Sequence, residues 1–263
     1  MHFGDAVLLV LLFLVVEIAL QILVGVVIHV GKRGNLFWAA ERLISFCAVY
    51  LIIRKRQGGS LGEYLGASSA PVSVYVLIMA GVLGIHFLVE PVDAFLRVYV
   101  PFFDFYRDPY HSSDVEGTIL LSIIVAPAIE EFLFRGVILR GFSRNHRIPS
   151  ALVLSSLLFA LHHHNPAQLI GPFCLGVLLG VALLRTGSIL PCVFGHLLTN
   201  GLWFFARANR DAAELLSIGV TIGEPTLLVS RLVLGIGLAV VSISPLLLPL
   251  LERNKEVIEG RGP

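Results

Sequence analysis

Gly117–Phe142 reads GTILLSIIVAPAIEEFLFRGVILRGF, and this stretch decides what kind of molecule the chain is. It is apolar over a length that crosses a bilayer, since about 20 residues cover roughly 30 Å of hydrocarbon. Yet Glu130, Glu131 and Arg135 stand inside it. A charged side chain at the bilayer centre costs about 3 kcal/mol on insertion scales, so such residues face protein or water and are functional candidates by default.

The rest of the chain has the same character. Hydrophobic residues fill 56% of its 263 positions and only 14% are charged. Soluble domains carry about a quarter charged residues, so this chain is too poor in charge to cover a water-facing surface. A net charge of +1 gives no basic face for nucleic acid, which is excluded as a partner. Cys47, Cys174 and Cys192 lie in apolar runs and read as buried free thiols, with neither a disulfide framework nor a zinc spacing. The amino-terminal run from Met1 to Arg33 lacks a basic start and is too long for a signal-peptide core, so it is expected as a retained span.

The expected fold is all-α: a polytopic transmembrane helical bundle of about eight spans, at 6–30, 36–53, 73–91, 117–139, 149–164, 167–186, 188–206 and 227–251. Thr186-Gly187-Ser188 is the turn that divides the sixth from the seventh. Residues 92–116 mix aromatics with charges and read as an interfacial loop, and 252–263 as a polar, mobile tail. Three regions follow: N-terminal spans and loop (1–115), a chemically active core (116–206), and a loop, last span and tail (207–263). With eight spans, Arg54, Lys55, Arg56, Arg140, Arg144, Arg147, Arg185, Arg253, Lys255 and Arg261 share one face, so the positive-inside rule leans both termini towards the cytoplasm. Lys32 and Arg33 oppose that bias.

Three segments carry the intramembrane polar groups. Helical phase puts Glu131 and Arg135 on nearly one face in the favourable acid-before-base order, and turns Glu130 about 100° away from Glu131. Arg135 is therefore expected to pair with Glu131, leaving Glu130 as the carboxylate suited to take a proton from water. The fifth span ends in His162, His163 and His164; the seventh holds His196 and Asn200, four apart on one face. Counting rise along each helix, Glu130 lies about 15 Å from Arg140, His163 about 20 Å from Pro149 and His196 about 12 Å from Ser188. All three depths run from the same face, so the side chains are expected to meet in one layer. Pro127, one turn before Glu130, is a candidate kink that lets water in.

Glu130-Glu131-Phe132-Leu133-Phe134-Arg135 has the form EExxxR, Phe159 to His163 the form FxxxH, and His196 to Asn200 the form HxxxN. In that order they resemble the CPBP family: type II CAAX prenyl endopeptidases and bacteriocin-processing or immunity proteins. The resemblance covers roughly 116–204 and implies an intramembrane endopeptidase acting on a membrane-associated, lipidated or CAAX-type peptide. It further implies that Glu130 and His163 activate water, that His196 and Asn200 stabilise the oxyanion, and that Glu131 and Arg135 complete the site. His162 and His164 depart from the usual neighbours of the motif.

No cofactor is expected. Zinc is the weaker alternative, because an HExxH helix is absent and Asn is a poor zinc ligand. Two other functions compete: a non-catalytic membrane scaffold or immunity protein, and a proton-coupled small transporter using Glu130. The expected setting is the plasma membrane of a prokaryote, with the bilayer and a membrane-associated substrate as partners. Glu17, Glu41–Arg42, His29 and His86–Glu90 match no motif and read as cross-helix pairs or groups reaching an interface. Gly171, Gly176 and Gly180 read as a close-packing stripe on the sixth span.

Overall fold

A computed structural model describes residues 2–27, 35–57, 60–66, 69–99, 123–163, 169–208 and 225–258. Among these residues there is no strand, and the chain forms nine helices. They are α1 (Phe3–Val27), α2 (Asn35–Gln57), the short α3 (Leu61–Leu65) and α4 (Val72–Tyr99). The fifth, α5, is continuous through three pieces: an α-helical turn and a half at Ala126–Glu131, a π-helical stretch at Phe132–Leu139, and a last α turn at Arg140–Ser143. Then come α6 (Ile148–His162), α7 (Ile170–Thr186), α8 (Leu190–Ala208) and α9 (Pro225–Ile258). Two stretches, Val72–Val92 and Val229–Glu252, are long and apolar enough to cross a membrane by themselves, and α6, α7 and α8 are shorter apolar helices.

The bundle is built around α5. Every residue of Phe132–Leu139 is buried, because α2, α3, α6, α7 and α8 all pack on α5. The outward faces are the reverse of a soluble protein's. Val72 is 77% exposed, Val233 64% and Val15 61%, and α9 presents Val229, Ile236 and Val241 in the same way. Apolar exposure on this scale is tolerated where the surrounding medium is itself hydrocarbon.

Close helix approach explains how the bundle holds together without a hydrophobic drive between helices. A Cβ on Gly176 would lie 2.8 Å from the Cβ of Ser156, and one on Gly180 would lie 2.8 Å from Leu152. Both glycines therefore seat α7 against α6, as the small-residue stripe predicts. Gly171, with its nearest atom at 3.6 Å, is not needed for contact. The α7–α8 turn falls at Thr186-Gly187-Ser188. Gly187 takes φ +69°, Thr186 Oγ1 donates to the Ala182 carbonyl at 2.7 Å, and Ser188 N–H donates to that hydroxyl at 3.1 Å.

Some expectations need correction. Residues 92–99 were expected in a loop but continue α4 past Pro91; proline removes one helical hydrogen bond, and Val92–Tyr99 holds neither glycine nor a second proline to end the helix. The expected tail likewise begins as helix, with α9 running to Ile258 because Glu252–Ile258 consists largely of good helix formers. The rest of both stretches, and the side chains of Glu17, His29, Glu41 and Arg42, lie outside the described residues. The sequence reading also had no place for α3. Ser60 caps this helix through its Oγ, Gly66 ends it at φ +49°, and the Leu65 carbonyl accepts from Ile189 N–H at 3.2 Å, fastening it to the start of α8.

Candidate active site

The site grows from a change of helical pitch. Pro127 opens the α-helical Ala126–Glu131, which follows a π turn at 123–125 and leads into the π stretch Phe132–Leu139. Glu130 and Glu131 thus sit between two regions of loosened backbone pairing, an arrangement often found at functional sites. Gly136 lets α3 close in, since a Cβ there would stand 2.9 Å from the Tyr64 carbonyl. Ser155 of α6 donates its hydroxyl hydrogen to the Phe134 carbonyl at 3.2 Å, supplying the π stretch with a side-chain tie. Phe132 is clamped by Phe46, Tyr50 and Tyr64, with ring centroids at 4.9, 5.9 and 5.9 Å. Tyr64 lies outside the spans, and burial, followed by the neighbouring Glu63 charge, pushes its phenol up from the ordinary value.

Arg135 Nη1 donates to Glu131 Oε1 at 2.9 Å, and the two side chains are 1% and 0% exposed. The ion pair expected from helical phase is present, but Glu131 does more than neutralise Arg135. His196 Nδ1 lies 2.8 Å from the same Oε1, so Glu131 joins α5 to α8. The other imidazole nitrogen, Nε2, faces Glu130 Oε2 at 3.9 Å. Both glutamates and His196 are therefore buried within one layer.

His163 completes that layer from α6. It is the C-cap residue, one position past the helix, and its Nδ1 lies 2.9 Å from the Phe159 carbonyl. A carbonyl only accepts, so Nδ1 carries the hydrogen. Glu130, His196 and Arg135 are its electrostatic neighbours. Asn200 sits one helical turn along α8 from His196 and is half-buried. All six candidate residues fall on α5, α8 and the end of α6. Glu130, Glu131, Arg135, His163 and His196 are brought together, with Asn200 on the adjoining turn.

Two residues acquire contacts that the sequence reading did not assign. Phe159 was only the first letter of a motif. Its ring in fact takes the Arg135 guanidinium on its face at 4.1 Å and meets His163 and His196 edge-on at 4.9 and 5.5 Å. His162, a departure from the motif's usual neighbours, is 7% exposed and packs against Phe134 and, on α1, Phe13. The first helix therefore covers the back of the site. His164 lies outside the described residues. On α4, Glu90 faces Arg231 of α9 at 3.8 Å, a cross-helix pair of the kind expected for motif-less charges. Among the described residues, no three His, Cys, Asp or Glu side chains gather closely enough to hold a metal ion.

Fold and cluster together define a membrane-embedded helical bundle with an ionisable centre enclosed by apolar helices. Residues 115–202 match the family model described as type II CAAX prenyl endopeptidase Rce1-like. This match supports a CPBP-family assignment for that segment, which is about a third of the chain, and the family is one of membrane-embedded proteases. No curated protein and no solved structure matches the chain.

Proposed function

We propose that the protein is an intramembrane endopeptidase that hydrolyses a peptide bond in a membrane-associated, lipidated or CAAX-type substrate with a glutamate-activated water. The observation that carries this reading is the buried layer of Glu130, His196 and Glu131, with His196 Nε2 at 3.9 Å from Glu130 and Nδ1 at 2.8 Å from Glu131. It lies in the segment that matches a protease family. Glu130 is the general base. His163, whose Nδ1 hydrogen is engaged by Phe159, offers Nε2 to the same water, so that one water hydrogen points to each. Asn200 and His196 face the oxygen that becomes the oxyanion; one donor of this kind contributes about 3 kcal/mol. Arg135 and Glu131 hold His196 in place.

Eight spans accommodate this chemistry: α1, α2, α4, α5, α6, α7, α8 and α9 each cross or nearly cross the bilayer, with α3 at one surface and both termini on the cytoplasmic side. The setting is the plasma membrane of a prokaryote. The reaction needs no metal.

The test is hydrolysis of an S-farnesylated CAAX-type peptide by purified protein in liposomes. Wild type is expected to cleave it, a folded Glu130→Gln variant to leave it intact, and exhaustive chelation to change nothing. Full activity in Glu130→Gln would sink the base assignment. Activity lost on chelation and restored by zinc would replace the metal-free mechanism. A folded wild type that cleaves no peptide but retains a membrane partner would return the scaffold reading.

A further inference from the structure

The hydrogen pattern around His196 carries an inference that rests on the peptidase reading. Glu131 is ion-paired to Arg135 through Oε1, the same atom that lies 2.8 Å from His196 Nδ1. An ionised carboxylate only accepts, so the hydrogen between them belongs to Nδ1. In its neutral form His196 then has a bare lone pair on Nε2, the nitrogen that faces Glu130 Oε2 at 3.9 Å. A bare Nε2 cannot donate to an oxyanion. The groups around the ring are Glu130, Glu131 and Arg135 on α5 and Phe159 and His163 from α6. Of these, Glu131 is the anion held in hydrogen-bond contact.

We infer that His196 is a proton relay: it takes on its Nε2 the proton that Glu130 removes from water and delivers it to the departing amine, while Glu131 acts as the positioning residue that fixes its tautomer and stabilises the imidazolium. The step balances without any other reactant. Water oxygen bonds to the carbonyl carbon as one water proton passes to Glu130. Glu130 Oε2 hands that proton to His196 Nε2 across a gap that shortens to hydrogen-bond length when the site is occupied, as such contacts commonly do. The new Nε2–H supports the oxyanion. As the C–N bond breaks with its electron pair going to nitrogen, the same proton moves to that nitrogen, and Nε2 is bare again. The second water hydrogen remains on the new carboxyl group. Asn200 is the donor present from the start, and His196 becomes one only after the first transfer.

Leaving-group chemistry separates a relay from a fixed oxyanion donor, because an amine cannot leave unprotonated whereas an alkoxide can. The probes are an S-farnesylated CAAX-type peptide and its depsipeptide, with an ester in place of the scissile amide, both in liposomes. His196→Gln is expected to lose about 10²–10⁴-fold more kcat on the amide than on the ester, the range typical of a general acid. Glu131→Gln is expected to show the same split at smaller size. Equal losses on both probes would overturn the relay and leave the peptidase intact; no cleavage of either probe by wild type would overturn both. A second measurement is independent of turnover and of variant folding. In ¹⁵N-histidine-labelled wild type, the relay requires resting His196 to show a protonated Nδ1 and a bare Nε2. A protonated Nε2 at rest would overturn it.

Discussion

Replacing Arg135 by methionine removes a cation while keeping most of the side-chain volume, and so isolates the electrostatic worth of the Glu131–Arg135 pair. In wild type both groups are almost wholly buried and bonded at 2.9 Å. In Arg135→Met the carboxylate of Glu131 keeps His196 Nδ1 as its polar neighbour and loses its counter-charge. Removing one partner of a buried ion pair costs about 3–5 kcal/mol. Sulfur against Phe159 replaces part of the cation–π contact that the guanidinium makes at 4.1 Å. The lower end of the range, about 3 kcal/mol, is therefore expected, or about a hundredfold in the unfolding equilibrium constant. The double variant Glu131→Leu/Arg135→Met removes both charges and leaves the His196 Nδ1 hydrogen without its acceptor, a defect of about 1–3 kcal/mol. It is expected to be no less stable than the single variant. Equilibrium unfolding of the detergent-solubilised protein by SDS reads both. Arg135→Met within about 1 kcal/mol of wild type, or a double variant that adds a further loss of about 3 kcal/mol, would refute the assignment of the pair as mutually compensating buried charges.

Other substitutions probe the frame around the site. Gly176→Val drives a branched side chain into Ser156, whose Cβ and Cα lie 2.8 and 3.0 Å from the new Cβ. It is expected to cost about 1–3 kcal/mol by the same unfolding assay. Gly171→Ala, whose new Cβ meets only Val89 at 3.6 Å, is expected to leave stability unchanged. Phe159→Leu loses the ring that both histidines and Arg135 touch. A stability loss of about 1–2 kcal/mol is expected, together with a kcat drop on the farnesylated peptide of about tenfold or more at nearly constant KM. A KM effect alone would mean that the ring shapes the substrate path rather than the reacting groups.

Helix positions were legible in the sequence because hydrocarbon imposes one rule on every segment: each apolar run must pair its own backbone. The Gly187 turn and the Gly176–Gly180 packing were legible for a similar reason, since only glycine serves at those positions. The Glu131–Arg135 bond followed from local helical phase. What phase could not reveal was tertiary or cooperative. His196 reaching Glu131, Phe13 covering His162 and Tyr64 clamping Phe132 all depend on how separate helices are set beside one another. The π stretch at Phe132–Leu139 was hidden because its apolar residues fit a regular α-helix equally well. The only sequence signals of irregularity there were Pro127 before it and Gly136 within it.

The order in which the polar contacts can form also matters for the making of the protein. Glu131 and Arg135 are four residues apart on one helix, so they can compensate each other as soon as α5 emerges from synthesis, before α6, α7 and α8 exist to enclose them. The contact with His196 spans 65 residues of chain and must await α8. On the intramembrane reading proposed above, α5 thus enters the bilayer with an internal counter-ion, and the pair acts first as a passport across the hydrocarbon. Only after the later helices arrive does the same carboxylate become the anchor that orients an imidazole.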